Sequence, residues 1–230
     1  MIPFGTYRQL TNVSDTGLVW AIKIVNERIE EKIEGGGVRI TSTPHRYFNI
    51  LKISTPPTQF ADVADGAYYV DAVKWAVANG VTNGKTETTF APADTCTRGQ
   101  VATFLWRANG SPEPQTTVNP FTDVNENSAF YKAILWAYEN GITAGTSDTT
   151  FSPDRSCTRA HVVTFLWRAK GEPAASGAST LAVSFPQGYY TNAVAWADSA
   201  GLLAGTGEAF DPSALCPRAD IVTYLYRDLA

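Results

Sequence analysis

Trp75-Ala76-Val77-Ala78-Asn79-Gly80-Val81-Thr82-Asn83-Gly84, continued by Phe90-Ala91-Pro92 and Cys96-Thr97-Arg98, is the stretch that decides the fold. Its skeleton returns as Trp136, Gly141, Gly145, Phe151, Pro153, Cys157 and Arg159, and again as Trp196, Gly201, Gly205, Phe210, Pro212, Cys216 and Arg218. The tryptophans are 61 and 60 residues apart and the arginines 61 and 59. A period this constant means one supersecondary unit used three times. Function is to be sought in what three equivalent units do together.

Each unit reads as helix, loop, helix. In the first helix Tyr69, Ala72, Val73, Ala76 and Val77 make one apolar stripe at helical spacing. Asn79-Gly80-Val81 stops it, with Gly80 free to turn left-handed and Val81 supplying the apolar contact beyond the end. Asn140-Gly141-Ile142 and Ala200-Gly201-Leu202 repeat the signal. Thr97 and Gln100 form a Thr-x-x-Gln capping box for the second helix, whose buried stripe is Val101, Phe104, Leu105 and Ala108. A helix pair this short cannot bury both apolar faces alone, and three around a common axis can.

Working outward, Asn109–Pro120 and Lys170–Ser179 read as exposed connections rich in Pro, Gly, Ser and Ala. The expected organisation is therefore 58–108 for repeat one, 109–169 for linker and repeat two, and 170–230 for linker and repeat three. Residues 1–57 lie outside the repeat and read as the end of an upstream domain or a linking element, closed by Ser54-Thr55-Pro56-Pro57-Thr58. Leu18–Glu34 places Leu18, Ile22, Val25, Ile29 and Ile33 near a helical period and stops at Gly35-Gly36-Gly37. The alternative is a strand over Val19–Ile24, and Val38–Thr41 and Tyr47–Ile53 read as short strands. The fold class is mainly α, with a small α+β segment ahead of three helix-loop-helix repeats.

The bulk numbers bound the function. The 230 residues are 44% hydrophobic with six tryptophans, only 17% charged, and carry a net charge of -4. No basic stripe tracks a nucleic-acid backbone, and no apolar run is long enough to span a bilayer. Met1–Trp20 lacks the charged and apolar regions of a signal peptide, so the chain is either cytoplasmic or a piece of a longer secreted protein. The repeats favour the second.

All three cysteines occupy one repeat position. Their odd number forbids a complete disulfide framework. They read as small buried apolar residues ahead of a helix cap, a three-thiolate metal site being the other reading. The chain's two histidines, His45 and His161, sit in no nucleophilic arrangement, and His161 at the third helical position reads as a cap. Asp62, Asp65, Asp123 and Glu126 are loop acids without a defined pairing. No enzyme motif and no cofactor-binding motif appears.

Arg98, Arg159 and Arg218 stand at the first position of the second helices, where their charge opposes the helix dipole. One reading pairs each with a carboxylate of a neighbouring repeat. The other has arginine and free helix amides receive a ligand carboxylate or phosphate. Gly84, Gly145 and Gly205 close the intervening loops, as turn residues and as points of close ligand approach. The aromatic pairs Tyr68-Tyr69, Phe130-Tyr131 and Tyr189-Tyr190 read as packed on one face.

The Phe-x-Asp-Val openings (Phe60-Ala61-Asp62-Val63 and Phe121-Thr122-Asp123-Val124), the tryptophan helix, the Gly-Ile-Thr-x-Gly loop, Phe-x-Pro and the Thr-Arg helix start resemble the S-layer homology repeat over residues 60–230. The resemblance implies a pseudo-threefold α-helical module whose inter-repeat grooves hold a pyruvylated secondary cell-wall polysaccharide without a covalent bond. It nominates Arg98, Arg159 and Arg218 as anion receivers, beside Gly84, Gly145 and Gly205, with Gln100, Trp75 and Trp136 among the groove residues. It further implies an extracellular wall-anchoring segment of a larger surface protein; from the residues themselves neither catalysis nor a bound metal is expected. A module for protein interaction or lattice assembly is the alternative, and an upstream enzyme domain a third. The sequence departs from the family at its motif glutamate, which is Gln100, His161 and Asp220 here, and at Gly99. Repeat three has Pro217 for the capping threonine and Phe185-Pro186-Gln187-Gly188 for the opening, so the groove that relies on it is the weakest.

Overall fold

The computed structural model describes residues 58–207 and 209–230, and four strands between residues 7 and 38. The chain divides into two compact units, Met1–Pro57 and Thr58–Ala230. In the first, β1 (Tyr7–Leu10), β2 (Trp20–Val25), β3 (Arg28–Ile33) and β4 (Gly36–Val38) form an antiparallel sheet in chain order. The helical reading of Leu18–Glu34 is corrected here, and the strand alternative holds from Trp20. Ile22, Ile24, Val25, Ile29 and Ile33 are β-branched and favour a pleated backbone. Val25 pairs with Arg28 in the β2–β3 register. Gly36 and Gly37 belong to β4 and are no helix stop. Of Val38–Thr41 only Val38 lies in a strand. Tyr47–Ile53, His45 and Ser54–Pro57 fall outside the described residues.

The second unit is helical. Its elements are α1 (Val70–Ala78), α2 (Arg98–Ala108), α3 (Tyr131–Glu139), α4 (Arg159–Ala169), α5 (Thr180–Val183), α6 (Thr191–Ser199) and α7 (Arg218–Leu229). The stop signals act as read. Val81 N–H bonds Ala76 O at 2.8 Å and Gly80 N–H bonds Val77 O at 3.0 Å, with Gly80 at φ 68°. Gly141-Ile142 and Gly201-Leu202 make the same pair of bonds. Thr97 and Thr158 each complete a capping box, with Gln100 and His161 as return partners.

The second helix of each repeat packs against the first helix of the next: α2 on α3, α4 on α6, and α7 back on α1. The ring closes on the cysteines. Cys157 N–H bonds Cys96 O at 2.9 Å, Cys216 N–H bonds Cys157 O at 2.9 Å, and Cys96 N–H bonds Cys216 O at 3.1 Å. This cyclic triplet satisfies three buried backbone donors at the centre, where each cysteine is fully buried. Burial pushes the thiols up, to about 12 for Cys96 and about 11 for Cys157. Among the described residues, no three His, Cys, Asp or Glu side chains are placed to hold a metal.

The Phe-x-Asp opening has a structural task. The Asp62 carboxylate accepts from Phe90 N–H at 2.8 Å and Ala91 N–H at 2.6 Å, and Asp123 accepts from Phe151 at 2.8 Å and Ser152 at 2.7 Å. Ala91 and Ser152 hold φ of 59° and 60°, which the two charged bonds stabilise. These acids therefore have a defined pairing after all. Repeat three lacks the device. The short helix α5 precedes Phe185, which packs on Phe210 at 6.3 Å as Phe60 packs on Phe90 at 5.8 Å.

Candidate functional site: three grooves between repeats

The helix amides expected to stand free are occupied. Arg98, Arg159 and Arg218 N–H groups donate to Arg155 O (2.9 Å), Ala214 O (2.8 Å) and Asp94 O (2.9 Å) of an adjacent repeat. The next amides, of Gly99, Ala160 and Ala219, donate to Pro153 O (2.9 Å), Pro212 O (3.0 Å) and Pro92 O (3.0 Å). The Phe-x-Pro loops thus cap the neighbouring helices. What remains for a ligand is the side chains.

Each seam between repeats carries a cavity, and the grooves on repeats one and two are assembled by one rule. The loop and second helix of one repeat form the floor, an arginine arrives from the preceding repeat, and an aromatic or its substitute from the following one. The groove on repeat two is a cavity of about 340 Å³ lined by Thr143, Gly145, His161, Phe165 and Arg168, with Arg98 from repeat one, Tyr189 from repeat three, and Arg155 on its wall. That on repeat one holds about 160 Å³, with Gly84, Gln100, Phe104 and Arg107 facing Phe130 and Arg218. At the third seam about 330 Å³ lies among Tyr68, Tyr69, Pro92, Leu215, Arg159 and Gly207.

The three arginines are buried, only 4%, 5% and 6% exposed for Arg98, Arg159 and Arg218. Arg98 Nε–H donates to Phe151 O at 2.7 Å, and its guanidinium lies 4.7 Å from the Phe151 ring and 5.2 Å from Phe165. Arg218 repeats this with Phe90 O at 2.9 Å and the rings of Phe90 and Phe104. Its Nη2 is buried without a hydrogen-bond partner. Arg159 differs: its Nε–H donates to Asp220 Oδ2 at 2.8 Å, and Asp220 is 1% exposed. Burial pulls Arg98 and Arg218 below the ordinary guanidinium range. Burial would lower Arg159 as well, but the hydrogen bond and charge of Asp220 hold it above. Carboxylate pairing between repeats is thus found at Arg159, while Arg98 and Arg218 bond carbonyls.

His161 Nδ1 accepts from Thr158 N–H at 3.1 Å, so it caps α4 as read from the sequence. It also faces the groove, its ring stacked 5.8 Å from Tyr189. Burial, then Arg98 and Arg155, pull its pKa below the usual value.

Gly84 and Gly145 line grooves and need to be glycine. A Cβ would meet Phe60 at 2.4 Å in one and Phe121 at 2.6 Å in the other, each with φ near the left-handed range at 86° and 90°. Gly205 has open space around it, and Gly207 instead lines the third seam. Trp75 packs on Tyr226 and Trp136 is buried in the core; neither borders these three grooves.

Several groove residues went unread in the sequence. Arg107, Arg168 and Arg227 recur nine positions after the first arginine and donate to Val81 O, Ile142 O and Leu202 O in the loops. Their period was the available signal. Arg155 gave none, because its counterparts are Asp94 and Ala214. The aromatic pairs are also out of phase. Tyr69, Phe130 and Tyr190 are the equivalent helix-start residues, so Ala129 replaces Tyr68 and Tyr189. Phe130 then packs so close to Gly99 that a Cβ there would lie 2.6 Å from its ring, which explains the glycine.

The S-layer homology domain model matches residues 59–102 and 120–163, the first two repeats. A cell surface protein of Thermoanaerobacter kivui is 27% identical over 84% of the chain, which covers 24% of that protein. An endoglucanase of Bacillus sp. (strain KSM-635) is 34% identical over 48% of the chain and 11% of its own length. The surface-layer 125 kDa protein of Lysinibacillus sphaericus is 35% identical over 43% of the chain and 8% of its own. The chain spans less than a quarter of each of these relatives. The first two helix pairs of the chain are thus similar to S-layer homology domains, and the third has the same skeleton without a match of its own.

Proposed function

We propose that residues 58–230 anchor a larger surface protein non-covalently to the bacterial cell wall by binding an anionic, pyruvylated secondary cell-wall polysaccharide in the grooves between repeats. The observation that carries this reading is the convergence of Arg98, Arg155, Arg168 and His161 around the Gly145 loop, with Tyr189 as an aromatic wall. Such a cleft has the sign of charge for a carboxylate, the donors for a bidentate contact and an apolar face for a sugar ring. Gly84, Gln100, Phe130 and Arg218 supply a smaller version on repeat one.

The reading assigns no catalysis. The endoglucanase relative shares these repeats over only 11% of its own length, which fits a portable module attached to unrelated parents. Among the described residues, no helix is long and apolar enough to cross a membrane.

The test is a calorimetric titration of the full chain with polysaccharide released from walls, against Arg155→Ala. Arg155 is exposed, and it caps Arg98 through its backbone carbonyl, which alanine keeps. Arg155→Ala should bind at least several-fold more weakly with an unchanged melting temperature. Equal affinity in wild type and variant would remove the groove on repeat two from the account. Self-assembly without glycan affinity would replace anchoring with lattice building.

A further inference from the structure

We propose that Asp220 is a built-in occupant of the third groove. Its carboxylate stands where a ligand anion would stand on Arg159 and commits that seam to closing the ring rather than to binding. The inference rests on the anchoring reading for what the other two grooves do.

The cause is a pair of linked departures in repeat three. In repeats one and two the third helical residue is held back by its own cap, because Thr97 N–H donates to Gln100 Oε1 at 3.1 Å and Thr158 N–H to His161 Nδ1 at 3.1 Å. The cap of α7 is Pro217, which has no N–H to donate, and no side-chain cap bond forms. Asp220 is thereby released from capping. It is buried against Arg159 at 2.8 Å and accepts the Tyr68 hydroxyl at 2.5 Å. The three groups come one from each repeat.

The seam chosen makes physical sense. Repeats one and two are joined by a peptide linker, as are two and three, whereas nothing covalent joins three to one. The α7–α1 face must hold itself. A buried Arg–Asp–Tyr cluster spanning it adds directional bonds where no tether helps. The cost is the anion site. Arg218, at the equivalent place on repeat one, keeps a buried Nη2 without a partner and facing its groove, whereas Arg159 already holds a carboxylate.

Two probes test this on the full chain. The first is formate, with chloride at equal ionic strength as control. Asp220→Ala should melt well below wild type and recover a substantial part of the loss in formate alone, while wild type does not respond. The second is a methyl glycoside bearing a pyruvate ketal, followed by calorimetric stoichiometry and by arginine Nε–H resonances. Wild type should take no more than two equivalents, moving the Arg98 and Arg218 signals and leaving Arg159 still; Asp220→Ala should gain one equivalent. Movement of the Arg159 signal in wild type, with a third equivalent, overturns the proposal and leaves anchoring intact. Formate rescue with no glycoside bound to wild type supports the occupant and sinks anchoring instead. Should Asp220→Ala fail to fold, the wild-type Arg159 resonance still decides.

Discussion

Replacing Arg98 by alanine should weaken both the fold and the groove, and the size of the first effect can be worked out. Arg98 is 4% exposed, its Nε–H bonds Phe151 O at 2.7 Å, and two phenylalanine rings flank its guanidinium. A hydrogen bond involving a charged group is worth about 1.5–3 kcal/mol, and a desolvated cation over an aromatic face about 1–2 kcal/mol. Relief from holding a charge at the positive end of α2 returns roughly 0.5 kcal/mol. The net loss is on the order of 3 kcal/mol, or roughly 6–12 °C in melting temperature for a unit of this size. Differential scanning calorimetry of Arg98→Ala beside Arg155→Ala measures it. The second variant should stay within about 0.5 kcal/mol of wild type, as exposed substitutions do. A melting temperature for Arg98→Ala within a degree of wild type would refute the buried, structural half of this arginine's role.

Other outcomes follow from the same geometry. Asp123→Ala removes the acceptor of two amides and strands Ser152 at positive φ; chemical denaturation should show a loss of about 2–4 kcal/mol, partly restored by adding Ser152→Gly. Gly145→Ala should cost more than Gly205→Ala, because only the first pushes a Cβ into Phe121 and two backbone oxygens; equal urea midpoints would contradict this. Gly99→Ala should destabilise by about 1–3 kcal/mol through its clash with Phe130, relieved by Phe130→Ala. His161 is neutral in the fold with a pKa pulled below the usual 6.5. The unfolded chain therefore takes up the proton first, and stability should fall as pH drops from about 6.5 through the folded pKa. His161→Gln, which copies Gln100, should flatten that part of the stability–pH curve.

The repeat architecture was legible because its signals are local. Gly80 and Val81 stop α1, and Thr97 with Gln100 starts α2, through bonds within a few residues. The groove was legible only in part. Arg98 was visible as an anomaly at a helix start, yet its carbonyl partner lies 53 residues away and the amides beside it are filled from another repeat. Asp220 and Arg159, 61 residues apart, could be paired only once the ring was closed, although Pro217 already announced that repeat three caps differently. The misreading of residues 20–33 has another origin. Apolar residues three or four apart also occur in paired strands, and the run of isoleucine and valine was the better guide there.

Sedimentation of the full chain with purified cell walls, before and after mild acid strips their anionic polysaccharide, tests the central claim most directly. The account predicts saturable co-sedimentation with intact walls and its loss with the polymer. Equal sedimentation with stripped walls, or none with intact ones from a folded sample, would contradict it.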